Sequence, residues 1–390
     1  MSWEDRLYQG FSCPQENFSN DFLEIITVTY AQELCRRFLA RFGADLQRRS
    51  SGLLAFFEAW LEHEKATFDT VWNLAFGEVK QALISGSQND YVRTAAALAL
   101  QLQYSSNNQL TNEWSLQLTT PTRLKWGRWL LPTADWLTVS SKSRQVTIRL
   151  RYQGEEKQVT FRRDNEGWNG EDAEQLPQIN TGQRRIDVLH LNALNYSTFD
   201  DIICNLAQNP TPDEVPDRCQ AAIMLLRDHA DIYLPWVECV VRYIIPLQSK
   251  NDFVFSGSYA DRPGVVTISF PAPLAALAEM LVHEATHQYF HLLSCVGDVD
   301  DGSDSTLYYS PIKQRGRPIR AILLAYHAFA NVLLFYRLCQ EKGLSDDGYC
   351  YQQEKNLLPQ LKQLEDSLHT TRALTPLGLA LWKPLAERVH

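Results

Sequence analysis

Apolar residues recur at three- and four-residue intervals from about position 20 to 103, as in Thr29–Phe42, Leu53–Leu61 and Asp90–Tyr104. That spacing buries one face of a helix. A polar break, Ser105-Ser106-Asn107-Asn108, ends this region, and the period then drops to two in Trp136–Val139, Val146–Tyr152 and Val159–Phe161. Alternation of this kind predicts strands, and Gly154-Glu155-Glu156-Lys157 between the last two predicts a β-hairpin. Ile186–Leu191 reads as a further strand. Helical spacing resumes over Pro216–Leu234, with Asp213 or Pro216 as the start, while the apolar run Trp236–Leu247 fits helix or strand equally. Val265–Phe270 reads as a strand leading into a helix that begins at Pro273, and its edge could align an extended peptide by main-chain hydrogen bonds. A second run, Pro318–Phe335, is apolar nearly all round, which predicts a buried helix with Pro318 in its first turn and Gly343 as its stop.

The expected fold class is therefore mainly α (α+β): a helical protein with a β-hairpin insert and a buried helix pair. The expected organisation is an N-terminal helical region (1–130), a β-containing insert (131–195) and a C-terminal catalytic region (196–390), with no internal repeat. The net charge of −9 offers no basic face, which argues against nucleic acid and anionic membrane as partners. Met1–Arg6 lacks the apolar core of a signal peptide, and no stretch approaches an uninterrupted membrane span, so a soluble cytoplasmic protein is expected. The eight cysteines (13, 35, 204, 219, 239, 295, 339 and 350) are scattered without a Cys-x-x-Cys pair, which predicts reduced, buried thiols.

The chemistry concentrates in Leu281-Val282-His283-Glu284-Ala285-Thr286-His287. On a helix, positions four apart share a face at about 6 Å, so His283 and His287 can close on one metal ion. The plainer reading is a structural histidine pair. The preceding run buries one side through Leu274, Leu277, Ala278, Leu281 and Ala285, which leaves the two histidines on a neighbouring face. Two imidazoles do not complete a site. His291 lies about 12 Å from His283 along the helix axis, too far to share an ion, and is expected beside the site. His327, on the second buried helix, is the expected third ligand. Glu279 and the loop of Asp298, Asp300, Asp301 and Asp304 could supply a carboxylate instead, although the loop reads more simply as a solvated connection.

Between the two helices lies Tyr309-Ser310-Pro311-Ile312-Lys313-Gln314-Arg315-Gly316-Arg317-Pro318-Ile319-Arg320. Arg317 and Arg320 flank the start of a helix, whose N-terminus favours anions. With the hydroxyls of Tyr309 and Ser310 they would suit a carboxylate, and an enzyme with a dicarboxylate cosubstrate needs such a clamp.

These blocks, together with Ser256-Gly257-Ser258, Pro263-Gly264-Val265 and Tyr326-His327-Ala328-Phe329, occur in the order found in a bacterial family that they resemble, the His-Glu-x-x-His peptide-modification proteins. The resemblance covers roughly 250–340. Its members are regarded as 2-oxoglutarate-dependent peptide β-hydroxylases. The family carries a His about three residues before the position of His327, where this chain has Leu324. The resemblance implies an Fe(II) site at His283, His287 and a third ligand, 2-oxoglutarate held by Arg317 or Arg320, and hydroxylation of a side-chain β-carbon in a peptide, the precursor of a ribosomally made natural product. The rival reading is a zinc metallopeptidase with Glu284 as catalytic base. A non-enzymatic precursor-binding relative is the third.

Overall fold

The computed structural model describes residues 8, 10–15, 21–63, 66–85, 90–105, 112–165, 167–189, 214–248 and 254–390. The fold is mainly α with a β component. The first helical stretch forms α1 (Asp21–Arg49), α2 (Ser51–His63), α3 (Phe68–Val71), α4 (Leu74–Ser85) and α5 (Asp90–Ser105). Their apolar faces meet around Phe38, Phe57, Trp60 and Phe76. Strands begin at Asn112, earlier than the boundary near 130 expected from sequence.

One antiparallel sheet has the order β1 (Asn112–Thr122), β4 (Ala134–Lys142), β5 (Gln145–Tyr152), β6 (Glu155–Arg163) and β7 (Trp168–Glu171). The expected hairpin is β5–β6. Tyr152 pairs with Glu155, so the turn is the two residues Gln153 and Gly154, both in the left-handed region (φ 52° and 84°). A turn of this hand matches the right-handed strand twist. Strands β2 (Lys125–Trp126) and β3 (Trp129–Leu130), between β1 and β4 in the chain, join β8 (Glu174–Gln175), after β7, in a small sheet.

The second five-stranded sheet is mixed. Its order is β12 (Ser256–Ser258), β13 (Val265–Phe270), β11 (Tyr243–Gln248), β10 (Arg185–Val188) and β9 (Gln178–Asn180). Strands β10, β11 and β13 run parallel, with β12 and β9 antiparallel at the two edges. This arrangement corrects the expected role of Val265–Phe270: β13 is bonded on both sides, and among the described residues the edge strand beside it is β12. The stretch Pro216–Leu247 also divides differently from the sequence expectation. Helix α6 (Val215–His229) ends at Ala230, α7 (Tyr233–Val240) follows, and the ambiguous apolar run is helix to Val240 and strand from Tyr243. The strand Ile186–Leu191 is seen to Val188; position 190 onward lies outside the described residues.

Helix α8 (Leu274–Leu293) follows β13 and packs on α6 and on α9 (Ile319–Glu341). Helix α9 starts after Pro318 and closes as expected at Gly343 (φ 68°), where Gly343 N–H donates to Gln340 O and Leu344 N–H to Cys339 O. It is long and apolar enough to cross a membrane, with mean hydropathy 1.5, which amends the expectation that no stretch approaches a span; 72% of that window is buried inside the protein. It is the central helix of the C-terminal core, covered by α8, α10 (Tyr349–Thr370) and α11 (Pro376–Val389). No disulfide joins the cysteines among the described residues.

Candidate metal centre

Helix α8 carries His283, Glu284 and His287, and one ligand atom from each lies within 4.8 Å of the other two. Spacing on the helix is the cause: His283 lies four residues and Glu284 three residues before His287, so both neighbour His287 on the helix surface. The imidazoles stand edge to face with centroids 4.6 Å apart, and Phe329 from α9 packs on His283 at 4.9 Å. Burial, aided by the Lys313 ammonium, lowers His283 to about 4. Burial and the neighbouring imidazoles hold His287 well below its ordinary value. Both rings are therefore neutral at pH 7, the form that binds metal.

Glu284 is fully buried. Ser256 Oγ donates to its Oε1 at 2.5 Å, and Ser258 Oγ to its backbone carbonyl at 3.5 Å. Burial raises the carboxyl to about 7, against the opposing pull of the two serines and Lys313. Glu284 Oε2 and His287 Nδ1 are buried without a hydrogen-bond partner. Orphaned buried polar atoms are costly, and a ligand or ion is one explanation for them. Two neutral imidazoles and a carboxylate with an unused oxygen fit a divalent metal that takes nitrogen and oxygen donors.

His327, the expected third ligand, stands outside the group of three, while its field reaches His287 and its own Nδ1 is buried without a partner among the described residues. Its Nε2 lies 2.9 Å from Phe11 O and 2.9 Å from Ser12 O. The ring is fully buried, and burial lowers it to about 4. The physical reason is that its donor nitrogen ties the 10–15 segment to α9, beside Asn331, whose amide also donates to Ser12 O at 2.8 Å. The carboxylates that might have completed the site are engaged elsewhere. Tyr349 Oη donates to Glu279 at 2.7 Å. Asp304 accepts from Tyr308 Oη and Thr371 Oγ1, both at 2.7 Å, and Asp301 from Ser303 N–H at 2.9 Å, so the acidic loop is the connection expected. His291 continues the row, its ring 6.4 Å from that of His287, outside the donor group.

The basic stretch forms the ribbon β14 (Tyr308–Ser310) and β15 (Arg315–Arg317). Arg320 faces Asp298 at 3.5 Å, and Arg317, half-buried, makes no ion pair among the described residues. Tyr309 is exposed and Ser310 buried, accepting from Lys313 N–H at 3.4 Å. The cation whose field reaches His283, Glu284 and His287 together is Lys313, at the tip of the ribbon. Ser256, Ser258 and Lys313 stand in the sequence blocks above without a role of their own, and the fold supplies one. For the serines the available signal was a Ser-Gly-Ser triplet, which becomes meaningful only when β12 lies along β13 beside α8. No family model matches the chain, and no curated protein matches it.

Proposed function

We propose that the chain is an Fe(II)- and 2-oxoglutarate-dependent hydroxylase of a peptide, with His283, His287 and Glu284 as the metal-holding residues. One observation carries the reading: the gathered donor set is two imidazoles and one carboxylate, the combination that suits non-haem Fe(II) oxygenases. In this reading Glu284 takes the place expected of His327. When bound, the metal would let oxygen act as the oxidant, one atom going to an unactivated C–H bond and the other into succinate as 2-oxoglutarate supplies two electrons and loses CO2.

The chain's own contributions follow from the site. Neutral His283 and His287 hold the ion without first losing protons. Ser256 donates to Glu284 Oε1, the oxygen 3.9 Å from His283 Nε2, and so orients the carboxyl, while Oε2 keeps no partner among the described residues. Lys313 offers a point charge to an anionic cosubstrate, a role the sequence assigned to Arg317 and Arg320. The edge strand β12 adjoins Glu284 through Ser256 and Ser258, so a peptide added there as a further strand would pass beside the donors.

The zinc peptidase remains a second reading on one specific observation, the Glu284 carboxyl raised to about 7, where a general base works near neutral pH. The deciding experiment is anaerobic Fe(II) reconstitution, then oxygen, 2-oxoglutarate and candidate precursor peptides, with succinate and peptide mass as readouts. An uncleaved peptide heavier by one oxygen atom, formed with succinate, is expected. A cleaved peptide without succinate overturns the hydroxylase.

A further inference from the structure

A second concave site lies away from the histidine pair, where the N-terminal helices and small sheet meet the mixed sheet. It is a cavity of about 300 Å³ and shares no residue with the metal group. Five basic side chains line it, Lys125, Arg128, Arg184, Arg185 and Arg242, against two carboxylates, Asp69 and Asp187. The protein as a whole is acidic, with a net charge of −9, so this local excess of positive charge runs against the composition.

The two carboxylates are already shared. Asp69 Oδ1 accepts from both Arg184 and Arg242, the latter at 2.8 Å. Asp187 lies 3.4 Å from Lys125 Nζ and accepts from Gln178 Nε2 at 2.8 Å. Among the described residues Arg128 reaches neutral acceptors alone, Gln178 Oε1 and the Trp168 carbonyl at 3.4 Å each, and its Nε is buried with no partner there. Arg185 is exposed and makes no ion pair among the described residues. Lys125 is largely buried, yet the Tyr243 hydroxyl and Asp187 offset that burial and keep its amine charged.

Clustered cations repel one another, and desolvated ones cost more unless something of opposite sign joins them. Guanidinium groups suit phosphate and carboxylate oxygens through paired hydrogen bonds. We propose that this cavity binds a small polyanion, bearing two or three phosphate or carboxylate groups, at a site separate from the metal centre. The volume sits at the lower end of small-molecule pockets, which suits a compact ligand and leaves a single phosphate or sulfate ion undersized. Its walls come from α3, α5, β2, β7, β9, β10 and β11, so an occupant would bridge the N-terminal half to the mixed sheet and raise the melting temperature.

Calorimetric titration of the full chain with pyrophosphate and with citrate, in chloride of matched ionic strength, tests the proposal. Saturable binding of one equivalent is expected for at least one of them. Pyrophosphate alone assigns the ligand to compounds bearing more than one phosphate, and citrate alone to polycarboxylates. Arg185→Glu, at an exposed position, should weaken binding by at least about tenfold, the loss of one charge-assisted contact. Arg185→Lys should restore part of it, and His283→Ala should leave it unchanged. No saturable heat above the chloride control, or equal affinity in Arg185→Glu, overturns the proposal.

Discussion

His327→Ala separates a structural histidine from a ligand. In the wild-type chain the His327 ring donates to the carbonyls of Phe11 and Ser12 within the core. Truncation leaves Ser12 O its bond from Asn331 but removes this donor from Phe11 O. A buried group stripped of its partner costs about 1–3 kcal/mol, and the cavity left by the ring adds to it. A total of about 2–4 kcal/mol at pH 7 is expected from denaturant unfolding. The pH dependence sharpens the test. The folded-state value of about 4 lies below the ordinary 6.5, so the unfolded chain takes up the proton first as pH falls. The contribution of neutral His327 is thus complete above pH 6.5 and is lost as pH falls toward 4. A difference of that size between folded and unfolded chain corresponds to about 3 kcal/mol. The stability gap between wild type and His327→Ala should therefore narrow by about that amount between pH 7 and pH 4, while metal affinity at pH 7 stays unchanged. A variant of wild-type stability that has lost its metal would refute the structural role and return His327 to the ligand set.

Glu284→Gln should weaken Fe(II) affinity by about tenfold or more, since an amide oxygen is a poorer donor than a carboxylate; a peptidase would keep its zinc and lose only cleavage, and metal analysis of the purified variant tells them apart. Lys313→Ala should raise the KM for 2-oxoglutarate about tenfold, the value of one charge-assisted contact, with kcat less affected; an unchanged KM would remove Lys313 from the cosubstrate site. Gly77→Ala places a methyl group 2.1 Å from Asp261 O, a clash that α4 relieves only by moving, so about 1–3 kcal/mol of stability should be lost in thermal unfolding. A fully stable Gly77→Ala chain would show that α4 does not pack on that loop as described.

Long periodic elements were legible in the sequence. Helices α8 and α9 follow directly from repeated apolar spacing, and Gly343 stops α9 because only a left-handed residue lets Leu344 N–H reach Cys339 O. The β5–β6 hairpin was visible for the same reason, though its turn is the two residues Gln153 and Gly154. Contacts made across long stretches of chain were not legible. His327 meets backbone atoms more than three hundred positions away, and an apolar helix around a histidine looks the same whether the ring bonds a carbonyl or a metal. The edge role passed from β13 to β12 because three residues, Ser256–Ser258, are too short to show a period. Lys313 was hidden among three arginines, and only the folded ribbon brings its charge to the imidazoles. His283 and His287 were legible because both lie on one helix and need no tertiary information to meet.

The function proposed for this chain depends on His283, Glu284 and His287 together holding one divalent metal. Anaerobic titration with Co(II), followed by its visible ligand-field absorption, addresses that point with no need of substrate. A single saturable site per chain is predicted in the wild type and in His327→Ala, abolished in His283→Ala and in His287→Ala, with an altered spectrum in Glu284→Gln. Saturable binding that survives loss of His287, or that disappears with His327, would contradict the three-residue site.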